Sequence, residues 1–139
     1  MGFFTDEFVY GFEFGVDIPA AYRSNYDNSE MSKIELPDGW DFCGGQIISD
    51  EQGNLYVAII RVDDTNRGEC RLVKLDFGKK TCKELLSSQS EKDAFTVIGL
   101  YNNEIVLSIY PSYLDGMPSL VPAKENIELK LFSPKEIPS

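Results

Sequence analysis

Carboxylates and tyrosines are the acid–base groups available to this chain: 139 residues carry 23 Asp and Glu and seven Tyr but no histidine. The commonest general base and the commonest transition-metal ligand are thereby excluded, and with them Ser-His-Asp and Cys-His triads. A pair of carboxylates could run glycoside hydrolysis, yet no spacing singles out such a pair. The chain therefore reads as non-enzymatic, with no catalytic residue, cofactor or metal expected, and a glycan-active enzyme fragment is the weakest reading. Asp64-x-Asn66-x-Gly68-Glu69 has part of the oxygen-ligand spacing of a calcium loop. Arg67 interrupts it and the distal Glu is missing, so a polar hairpin loop is the better reading. Cys43, Cys70 and Cys82 are odd in number and show no C-x-x-C spacing, as buried or free thiols would.

Binding chemistry is better represented. Phe8, Tyr10, Phe12 and Phe14 alternate without a break while Val9, Gly11, Glu13 and Gly15 take the other face. Four rings on one side of a strand suit a stacking platform, and more often a core. Two segments, residues 18–26 and 110–118, combine Tyr, Arg, Pro and Met, a composition favoured at protein interfaces, and read as long loops in corresponding places. Tyr22, Arg23, Tyr26, Tyr110, Tyr113 and Met117 are the expected partner-binding residues. Trp40, the only tryptophan, follows Pro37-Asp38-Gly39 at a turn and suits a half-buried anchor between units.

The elements that must position these residues are strands. One pattern occurs three times: a turn, a strand rich in aromatic and β-branched residues, a polar loop, and a strand with Lys or Glu between apolar residues. The middle copy is the clearest, with a short strand over 46–49, a turn at 50–54, strands over 55–62 and 70–77, a turn at 78–80 and a strand over 81–86. Its turns carry the Gly, Asn and Asp that positive φ requires. The third copy has strands over 95–100, 105–110 and 127–132, with a loop over 111–126. The first has a turn at 5–7, a strand over 8–16, a loop over 17–30 and a strand over 31–36, leaving too little chain for a fourth. Helix is expected at most as one short turn, within 83–92 or 17–30. The fold class expected is all-β, antiparallel meander repeats in a single domain, with units at approximately 1–42, 43–92 and 93–139.

Asp50-Glu51-Gln52-Gly53-Asn54-Leu55-Tyr56-Val57, followed by Arg71-Leu72-Val73-Lys74-Leu75-Asp76 and a Gly-Lys turn, resembles a blade of the six-bladed β-propellers of the TolB-like and NHL-like kind. Phe8-Val9-Tyr10, Leu55-Tyr56-Val57 and Ile105-Val106-Leu107 recur at 47 and 50 residues, a blade-like period. The resemblance implies a radial array of blades that presents ligands or partners at its rim or channel. Three blades do not close such a ring, so a fragment, a homodimer completing six blades, or a small sheet domain sharing the rhythm would each fit.

Charge narrows the partners. Of the net −10, residues up to Val57 carry eleven acids against two bases, or −9. Such a field repels phosphate backbones and anionic membrane surfaces, so neither nucleic acid nor membrane is an expected direct partner. A protein or peptide partner, basic by preference, is. The first functional reading is thus a β-repeat module that binds protein or peptide. The alternative is an acidic inhibitor or immunity-type protein capping a basic nucleic-acid-binding partner. No membrane span or signal-peptide layout is present in this sequence, and a cytoplasmic location is the slightly favoured expectation.

Overall fold

A computed structural model of the chain describes residues 2–43, 46–61, 70–87, 93–101, 104–111 and 128–132. All regular structure among them is β-strand, and no helix there is long and apolar enough to cross a membrane. The first sheet is an antiparallel meander of β1 (Gly2–Phe4), β2 (Phe8–Glu13), β3 (Ala20–Asn25) and β4 (Met31–Glu35), in that order. The second is β5 (Trp40–Phe42), β7 (Leu55–Arg61), β8 (Cys70–Asp76) and β9 (Thr81–Ser87), with β6 (Ile48–Ser49) also against β7. β5 pairs with residues 59–61 of β7 and β6 with residues 55–56, so together they form one interrupted flanking strand. The third sheet is β10 (Asp93–Tyr101), β11 (Glu104–Pro111) and β12 (Glu128–Phe132).

Two expectations for the first copy need correction. Residues 17–30 do not form a loop: β3 runs through their middle, paired with β2 from Phe8↔Asn25 to Glu13↔Ala20 and with β4 from Ala20↔Glu35 to Ser24↔Met31. The first copy therefore has the fourth strand that its length seemed to forbid. Ala20-Ala21-Tyr22-Arg23-Ser24-Asn25 has weak intrinsic strand preference, and pairing on both sides overrides it. Ala21 is fully buried in the apolar cluster shared with the second sheet, where a bulkier side chain would not fit at the same sheet spacing. The second correction concerns β2, which stops at Glu13 rather than Val16. Gly15 turns the chain with φ 67°, leaving Phe14 outside the ring ladder and exposed. The 83–92 segment begins as strand β9 through Ser87, and residues 88–92 lie outside the described ones.

Packing makes the second sheet the middle layer. Leu55, Val57 and Ile59 join Tyr10, Phe12, Ala21, Ile34 and Trp40 in one apolar cluster with the first sheet. Tyr56 and Ala58, the alternate residues of the same strand, join Val97, Ile105 and Leu107 in a second cluster with the third sheet. The near-continuous apolar run of β7, Leu55 to Ile60, is what a strand covered on both faces requires. Trp40 is buried within the first cluster, more deeply than a half-buried anchor, and the Arg71 guanidinium lies 4.2 Å above its ring. Arg71 Nε is 2.8 Å from Glu84 Oε1, a close ion pair without the alignment of a hydrogen bond.

Candidate binding face of the first sheet

Alternation on β2 sends Tyr10 and Phe12 into the core, with Phe8 packed at its margin, and turns Val9, Gly11 and Glu13 outward. The pairing registers extend this outward set into rows across the sheet. Phe4, Val9, Ser24 and Met31 form one row, Gly2, Gly11, Tyr22 and Lys33 the next, and Glu13, Ala20 and Glu35 the third. Cross-strand neighbours in such rows stand about 5 Å apart and act as one surface.

Phe4, Val9 and Met31 are 75%, 41% and 66% exposed, so the first row leaves apolar surface uncovered on both sides of the buried Ser24. An open groove of about 620 Å³ runs beside it, lined by Val9, Gly11, Glu13, Tyr22, Tyr26 and Met31 among others. Its floor is low because Gly11 has no side chain, and a Cβ built there would meet no atom within 4 Å. A glycine inside an exposed strand weakens the strand and is used where something approaches the backbone closely.

Hydrogen bonds hold the groove's polar groups. The Tyr22 hydroxyl donates to Glu13 Oε1, and this bond, more than burial, raises the Tyr22 pKa above its ordinary value, so the phenol stays a donor. Lys33 Nζ lies 5.6 Å from the Tyr22 ring centroid and 3.7 Å from Glu35. At the other end, the Tyr26 hydroxyl donates to the Thr5 carbonyl, tying the β3–β4 turn to the β1–β2 turn while most of the ring stays exposed. Asn28, at φ 59°, completes that turn, and its side-chain Oδ1 accepts from Ser24 Oγ. The Ser29 side chain and backbone N–H hold Asp27 below the usual carboxylate range, keeping its charge in place.

Of the six residues expected to bind a partner, Tyr22 and Tyr26 meet in this groove. Arg23 points to the opposite side of the sheet. Its guanidinium stacks 4.2 Å from the Phe8 ring centroid and 5.2 Å from that of Phe77, and donates to the carbonyls of Gln52 (3.3 Å) and Gly53 (3.4 Å). The Tyr10 hydroxyl donates to the same Gly53 carbonyl at 2.8 Å, so both side chains fasten the first sheet to the 50–54 turn of the second. Tyr110 lies on β11, and Tyr113 and Met117 lie outside the described residues. Phe4, Val9 and Met31 escaped the sequence reading. The signal that could have found them was the second face of β2, where Val9, Gly11 and Glu13 alternate with the conspicuous rings.

The 50–54 turn itself is built by one carboxylate. Asp50 Oδ1 accepts from the backbone N–H of Gln52 and Asn54, and Oδ2 accepts from Asn54 Nδ2 and the Tyr56 hydroxyl, at 2.9–3.1 Å. Burial and the Asp50 charge raise the Tyr56 pKa to about 12. This is a structural use of the Asp, Gly, Asn and Tyr of that segment. Of the thiols, Cys43 is raised by its hydrogen bond with Cys70 and by burial, and Cys82 is pushed up to about 11 by burial, a setting for inert sulfur rather than a nucleophile. Among the described residues no three His, Cys, Asp or Glu side chains converge as metal ligands. The chain matches no protein-family model, no curated protein and no solved structure.

Proposed function

We propose that this protein is a non-enzymatic β-repeat binding module that engages a protein or peptide through the open face of its first sheet. The observation that carries the reading is the groove over Gly11, where Tyr22 and Tyr26 meet the exposed apolar side chains of Phe4, Val9 and Met31. Exposed apolar surface on an otherwise packed domain is characteristic of interaction sites, and rigid tyrosines lose little entropy on contact. A succession of meander sheets, with β2, β7 and β11 in equivalent places, supports a propeller-like arrangement of blade-like units as the scaffold.

The test fills the groove without harming the fold. Gly11→Val adds a β-branched side chain where space is open, so the folded state is retained. Ligands selected from a displayed peptide library on the native protein should lose about tenfold or more in affinity for Gly11→Val and for Tyr22→Ala. Selected ligands that bind all three proteins equally would remove this face from the function.

A further inference from the structure

The occupant of this groove can be specified by its chemistry, an inference that rests on the binding-module reading above. Glu13 and Glu35 stand on the open face and Asp27 and Glu30 on the turn beside Met31, against the one base Lys33, which pairs with Glu35. The field around the groove has the same sign, since residues up to Val57 carry −9. A second copy of the chain would bring like charges together on this face, which disfavours self-association here. The Tyr22 hydroxyl occupies Glu13 Oε1 and orients the carboxylate at the groove, leaving its second oxygen for an incoming donor.

We infer that the groove takes an amphipathic basic segment of a partner protein, seating an apolar side chain over Gly11 between Val9 and Tyr22 and placing a Lys or Arg against Glu13. The apolar half follows from the uncovered apolar side chains and the empty space above Gly11. The cationic half follows from the acidic surround and from Glu13 itself, which stands exposed at the groove's edge where a Lys or Arg can reach it as a salt-sensitive surface pair.

Three fluorescent peptides of equal length, alternating Leu with Lys, Leu with Ser and Leu with Glu, serve as probes in anisotropy titrations at low and high salt. The expected result is at least tenfold tighter binding of the Leu/Lys peptide than of the Leu/Ser peptide, weakened by salt. Glu13→Gln should cost roughly three- to fivefold, while Glu51→Gln, an equal charge change on an exposed turn of the second sheet, costs nothing measurable. Equal losses for the two variants would show unspecific attraction to an acidic protein and overturn the proposal. Equal binding of the Leu/Lys and Leu/Ser peptides, abolished by Gly11→Val, would overturn the basic partner while keeping the binding module. If no peptide binds and light scattering shows a dimer that Met31→Glu dissociates, the occupant is a second copy and the proposal falls. No binding and a monomer would remove both readings.

Discussion

Strands β2 and β7 hold equivalent places, each paired on both sides within its own sheet, yet their second faces differ. On β7 the outward set relative to the first core, Tyr56 and Ala58, is buried again against the third sheet. On β2 the corresponding set, Val9, Gly11 and Glu13, meets no covering layer among the described residues. Identical pairing thus produces a structural strand in one place and a candidate surface in another. The deciding variable is the number of sheets stacked against it, and composition follows: β7 is apolar through Ile60, whereas β2 carries a glycine and a carboxylate on its open side.

The comparison is broken most severely at Ile59, which is fully buried in the middle layer. Ile59→Ala should lower unfolding free energy by about 3–4 kcal/mol in chemical denaturation, whereas Val9→Ala on the open face should change it by less than about 0.5 kcal/mol. Equal losses at the two positions would mean that the first sheet's outer face is covered in solution.

A second substitution attacks the seam that joins the two sheets. Gly53 has φ 80°, and a Cβ there would sit 2.6 Å from Phe8 Cε2 and 2.8 Å from Arg23 Nη1. Gly53→Ala should cost about 2–3 kcal/mol, combining left-handed strain with displacement of the Phe8–Arg23 stack. A melting curve unchanged from the native protein would show that the seam is looser than its contacts.

The smallest effect is a pH dependence. Because the folded state raises Tyr56 from its ordinary 10.0 to about 12, its contribution is complete below pH 10 and is lost as pH rises toward 12. Tyr56→Phe should cost about 1 kcal/mol at neutral pH through the missing Asp50 bond, and its stability should decline less steeply between pH 10 and 12. Parallel alkaline limbs for the two proteins would assign that decline to other groups.

Much of the scaffold was legible because the middle layer writes its position into the sequence. The run Leu55-Tyr56-Val57-Ala58-Ile59-Ile60 between an Asp-to-Asn turn and a polar stretch leaves little choice but a buried strand. β3 was illegible for the opposite reason: Pro19, the alanines, Ser24 and Asn25 look like punctuation, and only cross-strand partners make them a strand. Missing β3 hid its alternation, and with it the fact that Tyr22 and Arg23 face opposite ways. The site is half-legible, since the composition of residues 18–26 points to Tyr22 and Tyr26. Phe4, Val9 and Met31 can be grouped only once register places four strands side by side, because they are distant in sequence.

The burial of Trp40 gives the molecule a built-in optical reporter. With one indole in 139 residues, lodged among first- and second-sheet side chains beneath the Arg71 guanidinium, all tryptophan emission originates from the seam between two layers. Its wavelength and quenching therefore follow separation of those layers directly, and leave events on the open outer face spectrally silent unless they are transmitted through the sheet.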